Sequence, residues 1–320
     1  MSSLPVIFDR RLLLRHRERS AAAGGDLPDF LLERTAEDLA DRLAVTNRTF
    51  SNAVNIGAAT GQVERCLSVL PNVRSISSTE SSQALVDFAK SKVPGCVTLA
   101  DEELLPLNPA SFDLITSALT LQYVNDLPGT LTQIRRALVP DGLFMGAMIG
   151  GATLTELRQA TLQAEEELTG GASPRVAPMA DVRDLGALLQ RAGFALPVAD
   201  SDVVTVTYAT AFDLMRELKA MGASNVLVER RKAPMTRSLL TRIAEIYHER
   251  FAAEDGRILA TFEILTMTGW APHESQQKPL RPGSARSRLA DALGTSESSA
   301  GEAAGVDFSH PVAGGKSDEK

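Results

Sequence analysis

The stretch VNIGAATGQVE, Val54–Glu64, begins with a short apolar run and continues through three small residues that stand between two glycines. This pattern predicts a strand that ends in a tight turn and opens a helix. Such a turn brings backbone N–H groups and the positive end of a helix against an anionic or polar ligand. The stretch therefore predicts a ligand-binding loop at one strand of an α/β sheet.

The spacing within this loop distinguishes two ligand classes. Gly57, Ala59 and Gly61 follow a G-x-A-x-G pattern, whereas the dinucleotide fingerprint G-x-G-x-x-G would require a glycine at Gln62. The shorter spacing favours S-adenosylmethionine, which carries a carboxylate but no pyrophosphate. Small residues also end many strands that bind nothing, so the loop by itself leaves both interpretations open.

Strand-like and helical segments alternate along the first half of the chain, which predicts a parallel sheet wound with helices on both faces. The predicted strands are Val54–Ile56, Val73–Ser77, Cys96–Leu99, Phe112–Thr116 and Leu143–Met148. The predicted helices are Asp29–Leu43, Val63–Leu70, Gln83–Lys90 and Leu127–Leu138.

The second half is richer in predicted helices, at Leu154–Leu168, Val182–Ala192, Phe212–Met221 and Met235–Ala252, with strands at Asp202–Tyr208 and Phe262–Trp270. We expect one domain over residues 29–275, with a helical insertion at about 209–257, after an N-terminal segment, 1–28. Beyond Gln276 the composition shifts to Ser, Gly, Ala, Pro and charge. This shift predicts a disordered tail over residues 276–320.

Composition narrows the classes of partner. The formal net charge of -7 gives no broad attraction to a phosphate backbone, so we expect no nucleic-acid partner. Two cysteines, Cys66 and Cys96, cannot form a disulfide framework and lack metal-ligand spacing. No apolar run approaches the length of a membrane span. We expect a cytoplasmic protein without a bound metal.

The segment RRLLLRHRERS, Arg10–Ser20, is rich in arginine and has Glu18 as its one acid. A mitochondrial transit peptide has a similar composition. The segment begins only a few residues into the chain, and an amphipathic helix with acids follows it at once. We therefore expect a helix of the mature protein.

Carboxylates follow the second and third predicted strands, at the sheet edge where open α/β folds bind ligands. Glu80 lies about twenty residues after the loop, where a carboxylate can accept hydrogen bonds from both ribose hydroxyls. Asp101 and Glu102 follow the third strand, where an acid can accept from the adenine amino group. The alternative is an exposed turn charge or a helix-end charge pair.

The segment LPLNPASFDLITSALTLQYV, Leu105–Val124, places Ala118–Tyr123 at the carboxyl end of the fourth strand. At this end of the strand, Leu119 is a candidate cofactor contact, and Gln122 and Tyr123 are candidate catalytic residues. The amide of Gln122 could hold an acceptor, and the ring of Tyr123 could contact a sulfonium cation. Packing under the following helix is the alternative role of Tyr123.

The sequence resembles the class I S-adenosylmethionine-dependent methyltransferase superfamily over roughly Phe30–Trp270. Its details are similar to the NADH:ubiquinone oxidoreductase (complex I) assembly factor 5, or arginine hydroxylase, family. The segments that carry this resemblance are IFDR (7–10), LADEELLP (99–106), YVNDLP (123–128), PDGLFMGAMIGG (140–151), TLTELR (153–158), DLGALLQRAGF (184–194) and GWAPHESQ (269–276).

The resemblance implies a Rossmann-like α/β fold, with a mostly parallel sheet, one antiparallel strand near Phe262–Trp270 and a helical insertion. It implies S-adenosylmethionine as cofactor, hydroxylation of an arginine, and a complex I peripheral-arm subunit as partner. Because the chain starts almost at the family's IFDR, it looks like a bacterial relative. We expect it in the cytoplasm, or in the mitochondrial matrix of a eukaryote.

Three positions depart from the superfamily pattern. Asn55 stands where an acid is usual and lacks the charge that would pair with the methionine ammonium. Ala59 replaces a glycine and adds a methyl group where backbone and ligand approach closely. The superfamily's ribose acid would align near Thr79, so Glu80 is displaced by one position. These changes bear on cofactor affinity.

Three functions stay open at this point. Hydroxylation would ordinarily need a redox centre, such as iron held by two His and one carboxylate, and the four histidines show no such spacing. An O-methyltransferase resembling the malonyl-acyl-carrier-protein enzyme of biotin synthesis is the second possibility. The third is a non-catalytic assembly chaperone.

Overall fold

The computed structural model describes residues 5–23, 27–93, 95–277, 291 and 293–295. The chain divides into two units, Met1–Glu274 and Ser275–Lys320. The predicted disordered tail lies almost entirely outside the described residues. The fold and site described below belong to the first unit.

A seven-stranded sheet forms the centre of the described chain, with strand order β3-β2-β1-β4-β5-β7-β6. β1 to β5 pair in parallel, and β7 runs antiparallel to both β5 and β6. This confirms the predicted mostly parallel sheet with its antiparallel strand near the end. The strands are β1 (Ala53–Ile56), β2 (Ile76–Glu80), β3 (Val97–Leu99), β4 (Phe112–Ala118), β5 (Leu138–Ile149), β6 (Ala195–Tyr208) and β7 (Ile258–Trp270).

The second strand differs from its prediction. The sequence predicted Val73–Ser77, but β2 pairs with β1 in the register Ala53↔Ile76 to Ile56↔Thr79. Val73 instead forms an isolated bridge with Phe50 ahead of β1. The predicted bounds were wrong because pairing with β1, which periodicity does not report, selects the segment. Glu80 is therefore the last residue of the strand and not part of the following turn.

Helices cover both faces of the sheet, as predicted. They are α1 (Arg10–Ala22), α2 (Phe30–Ala44), α3 (Gln62–Ser68), α4 (Gln83–Lys90), α5 (Leu127–Ala137), α6 (Thr155–Thr169), α7 (Val182–Arg191), α8 (Ala211–Ala220) and α9 (Arg237–Phe251). Side-chain caps define several starts: Asp9 accepts from the Leu12 amide, and Ser82 accepts from the Leu85 amide. The predicted helix at Arg10–Ser20 is confirmed.

Three large apolar clusters hold these layers together. One packs α5 and α7 against the sheet around Ile115 and Phe144. Another packs α2 and α3 against the opposite face around Leu39 and Leu67. The third joins α6 and α9 to β7 around Tyr247. Burying these side chains supplies the main driving force for folding.

The N-terminal helix and the insertion meet beside the sheet. α8 and α9 lie between β6 and β7 in sequence, which confirms the predicted insertion. Phe8 and Leu13 pack against Val226 and Leu227 of the insertion. The amide of Asp9 donates to the carbonyl of Val226 at 2.8 Å. In the described chain, no helix is long and apolar enough to cross a membrane.

Candidate functional site

A cavity of about 1010 Å³ opens at the carboxyl edge of the parallel strands. We name two sets among the residues that line it by their origin. The sheet wall comprises Ala59, Thr60, Glu80, Ala118, Leu119, Thr120 and Gln122. The helical wall comprises Leu13, Arg17 and Ser20 of α1 together with residues 212–235 of the insertion that face the cavity. A cavity of this size can enclose a nucleoside-sized ligand and part of a second reactant.

The glycine-rich loop forms one end of the sheet wall. Gly57 and Gly61 have φ values of 87° and 80°, which favour glycine. A side chain at Gly57 would place its Cβ 2.2 Å from Thr120 Oγ1, so the close approach of these two segments needs glycine there. The amides of Gly57 and Ala58 both donate to the carbonyl of Thr79 at 2.9 Å. Thr79 therefore supports the loop through its backbone.

Ala59 adopts the left-handed region, with φ 43°. This conformation costs a residue with a Cβ roughly 1 kcal/mol. The Ala59 amide donates to Glu80 Oε2 at 2.9 Å, which holds the loop in place. The loop thus keeps the backbone shape of a glycine-rich turn although its middle position is alanine.

Glu80 is the carboxylate of the sheet wall. It is only 2% exposed, and Oε1 accepts from the amide of Ser81 at 2.8 Å. Oε1 also accepts from the amide of Ser82 at 3.2 Å, and Oε2 accepts from the amide of Ala59. A carboxylate has about four acceptor positions, two on each oxygen, so Oε2 keeps one position for a donor from a ligand. The superfamily's ribose acid aligns with Thr79, one position before Glu80. Glu80 nevertheless lies on the lining of the cavity.

Asp101 and Glu102 lie in ion pairs with α1. Arg10 contacts both acids, and Arg17 Nη1 donates to Glu102 Oε1 at 2.7 Å. Burial alone would raise the pKa of Glu102, but the two guanidinium groups outweigh it and lower that pKa to about 2. The two acids predicted near the adenine thus anchor the N-terminal helix.

Asn55 lies behind the loop and does not line the cavity. Its Nδ2 donates to Glu64 Oε1 at 2.9 Å, and its Oδ1 accepts from Thr116 Oγ1 at 3.1 Å. Ser78 donates to the same Glu64 oxygen. Burial raises the pKa of Glu64 despite these bonds. The amide of Asn55 therefore supports a buried carboxyl group in the core.

The segment after β4 carries the two residues predicted as catalytic. Leu119 has φ 50°, and its carbonyl accepts from Gln122 Nε2 at 2.7 Å. Gln122 Oε1 is buried without a hydrogen-bond partner among the described residues. Because the carbonyl of Leu119 can only accept, the NH2 group must face it, which fixes the orientation of the amide.

Tyr123 lines the cavity close to the N-terminal helix. Its ring meets Phe8 edge-on at 5.9 Å between centroids, and the guanidinium carbon of Arg17 lies 6.0 Å from the ring centroid. Burial raises the pKa of the Tyr123 hydroxyl. The ring of Tyr123 was predicted to contact the sulfonium cation of the cofactor. In the structure, Arg17 of the same chain lies beside that ring.

Two residues of the site, Arg17 and Asp29, were not predicted from the sequence. Arg17 bonds Ser81 Oγ at 2.8 Å and lies 3.6 Å from Glu80 Oε1. The seven-residue spacing of Arg10 and Arg17 puts them on one helix face, which was the available signal. Asp29, at the start of α2, accepts from Thr60 Oγ1 at 3.0 Å. The sequence analysis gave this acid only as the first residue of the predicted helix Asp29–Leu43.

Within the part of the chain that the structure describes, no group of three or more His, Cys, Asp or Glu side chains could hold a metal ion.

Comparison with known proteins places the chain in a family. The methyltransferase domain family matches residues 54–146. Arginine-hydroxylase NDUFAF5 of Danio rerio is 40% identical over 286 residues, which is 89% of each chain. Malonyl-[acyl-carrier protein] O-methyltransferase of Halorhodospira halophila is 31% identical over 284 residues, covering 87% of this chain and 94% of the relative.

Among solved structures, the YcgJ protein of Bacillus subtilis matches with a TM-score of 0.53 and 15% identity, over 75% of this chain and 99% of that one. The sheet order, the loop and these matches define a class I S-adenosylmethionine-dependent methyltransferase fold. The chain belongs to the family of the mitochondrial arginine hydroxylase NDUFAF5. The resemblance seen in the sequence is confirmed.

The residues present fit the cofactor of this fold class. The tight contact of Gly57 with Thr120 excludes a side chain at position 57, and Glu80 lies on the cavity lining as an acceptor. Apolar side chains such as Leu85 and Leu119 complete that end of the cavity. A nucleoside with a ribose diol needs this combination of a loop with small side chains, a carboxylate and apolar walls.

Proposed function

We propose that this protein binds S-adenosylmethionine on the sheet wall and hydroxylates an arginine of a complex I peripheral-arm subunit during assembly. The observation that carries the proposal is the 40% identity to arginine-hydroxylase NDUFAF5 over 89% of both chains. A match of this length covers most of the chain and most of the relative. The proposal places the protein where complex I is assembled, in the cytoplasm of a bacterium or the mitochondrial matrix of a eukaryote.

The cofactor would be held by the loop and the adjoining strand ends. Gly57, Ala59 and Gly61 would approach its methionine part, and Glu80 would accept from the ribose hydroxyls. The carbonyl of Leu119 is a further acceptor beside the loop. Thr79 and Asn55 would act indirectly, since the first supports the loop through its carbonyl and the second braces the buried Glu64.

Asp101 and Glu102 would contribute by fixing α1 over the cavity, through their pairs with Arg10 and Arg17. When bound, the cofactor would supply an electrophilic methyl group on its sulfonium centre, which serves methyl transfer. Adding an oxygen atom to an arginine is instead a two-electron oxidation, which would draw on molecular oxygen together with an external two-electron reductant. The chain's own residues position the second reactant and exclude water. Gln122 and Tyr123, which both line the cavity, are the proposed contacts to that reactant.

The proposal is tested in a strain that lacks the gene. We expect it to lose assembled complex I, and we expect one arginine of a peripheral-arm subunit to lack an added oxygen in intact-mass and peptide analysis. Complementation with the wild-type gene should restore both, and a Glu80→Gln variant should restore neither if the cofactor is required. If assembly fails in the deletion strain but the arginine carries no added mass in the wild type, the hydroxylase activity is excluded. The protein would then act by binding alone.

A second candidate function rests on the malonyl-[acyl-carrier protein] O-methyltransferase relatives, which are 30% to 31% identical. It is favoured by the cations of the insertion, since an acidic carrier protein suits a basic surface. If the deletion strain requires biotin and assembles complex I normally, this function replaces the first. A methyl gain on the subunit in place of an oxygen gain would identify methyl transfer to protein.

A further inference from the structure

The residues that the insertion contributes to the helical wall are basic. Among the cavity-lining residues that the structure describes, the insertion contributes four cations and no carboxylate, namely Arg216, Lys219, Arg230 and Arg231. The sheet wall and the start of α2 contribute the lining acids, Glu80 and Asp29. The two walls therefore present opposite charges to whatever enters between them.

The four cations differ in how far they are already paired. Arg230 donates to the carbonyl of Leu227 at 2.7 Å and contacts Asp9, so the fold uses it. Arg216 pairs with Asp213 on the same helix. Lys219 and Arg231 are exposed, and neither side chain forms an ion pair or hydrogen bond within the described ranges. These two side chains are available to a partner.

Exposed apolar side chains accompany these cations. Phe212 is 41% exposed and Met235 is 37% exposed, and both line the cavity. We call Phe212, Arg216, Lys219, Arg231 and Met235 the insertion rim. A surface that combines apolar anchors with unpaired cations suits a polypeptide with carboxylates and an apolar residue.

We propose that the insertion rim docks an acidic polypeptide segment that carries the arginine to be modified, which rests on the proposed function. Carboxylates that flank the arginine pair with Lys219 and Arg231 at the mouth. The arginine then extends past them toward the acids on the opposite wall. Since the whole chain carries a net charge of -7, the rim supplies a local attraction that selects where such a segment binds.

The test is a binding measurement with the full chain, by fluorescence anisotropy at low salt. The probes are two labelled nonapeptides with a central arginine, one flanked by glutamates and one by glutamines. We expect wild type to bind the acidic peptide more tightly, with the preference falling about 10-fold in the Lys219→Gln/Arg231→Gln variant. The matched control is Arg74→Gln/Lys90→Gln, which removes two exposed cations outside the cavity lining and should keep the preference.

Equal affinity for both peptides, or an unchanged preference in the Lys219→Gln/Arg231→Gln variant, would overturn the proposal. The proposal would also be overturned if wild type bound malonyl-acyl-carrier protein tightly, the variant lost that binding, and the two peptides bound equally. That result would assign the rim to a carrier protein. The assay needs no turnover. If the acidic peptide binds as expected but no subunit arginine gains oxygen in cells, the proposed function fails and the docking surface stands.

Discussion

The two walls of the cavity are built in different ways. The sheet wall follows from local sequence, because a strand, a glycine turn and a helix start place Gly57, Ala59 and Glu80 within one βαβ unit. The helical wall depends on contacts between distant segments, such as Arg17 with Glu102 and Phe8 with Val226. The first wall is set by backbone geometry, and the second is held by charges that a change of pH or one substitution can remove.

The largest expected effect concerns the charge that holds α1. The pKa of Glu102 is lowered from 4.5 to about 2, so its ionisation stabilises the fold above about pH 4.5, and that contribution is lost as the pH falls toward 2. We expect Glu102→Gln to lower the free energy of unfolding by roughly 3 kcal/mol at pH 7 and the difference from wild type to vanish near pH 2. Urea unfolding at a series of pH values measures it.

The control for this experiment is Glu166→Gln, which removes an exposed carboxylate on α6. Its effect should stay within about 0.5 kcal/mol at every pH. A Glu102→Gln variant whose deficit does not depend on pH would show that the arginine pairs contribute nothing through charge.

The next effect probes the support behind the sheet wall. Asn55→Asp restores the superfamily's usual acid but places it against the buried Glu64, so one carboxyl group must take up a proton. We expect a loss of about 2–3 kcal/mol in the free energy of unfolding at pH 7. The double variant Asn55→Asp/Glu64→Gln should recover most of it, because an amide at position 64 can donate to the new acid. No recovery would mean that residue 55 acts outside this network.

Arg17→Met removes one of the two guanidinium groups from Glu102 and its contact with Ser81. We expect about 2 kcal/mol of destabilisation, since Arg10 still pairs with the acid. Arg15→Met on the exposed side of the same helix is the matched control and should change stability by less than about 0.5 kcal/mol. Equal effects of the two substitutions in thermal unfolding would contradict the role given to Arg17.

The smallest effect sharpens the account of the loop. Ala59 has a φ of 43°, so Ala59→Gly relieves strain and should raise the free energy of unfolding by about 0.5 kcal/mol. The neighbouring Ala58 has no positive φ and is buried, so Ala58→Gly should lower stability by about 1 kcal/mol. A loss of stability in both variants would show that the Ala59 methyl group packs favourably.

The difference between the two walls explains which parts of the fold and site could be predicted from the sequence. The loop glycines, the alternation of strands and helices, and the acid at the end of the second strand follow from spacing over a few tens of residues. The bounds of β2 were wrong because pairing with β1 selects Ile76 and not Val73 as the first paired residue. The sequence shows that Asn55 stands where an acid is usual, but not that its side chain bonds Glu64 of α3 and the carbonyl of Gly57. The pairing of Arg17 with Glu102 joins segments that no local pattern connects.

The most direct test of the central claim is calorimetric titration of S-adenosylmethionine into the wild-type chain and Glu80→Gln. We expect wild type to bind, and ligand at a hundred times its Kd should stabilise the fold by about 2.7 kcal/mol. We expect Glu80→Gln to bind at least about 10-fold more weakly, because a neutral amide replaces the carboxylate acceptor. Equal affinities in the two proteins, or no binding by wild type at millimolar cofactor, would contradict a cofactor site on the sheet wall.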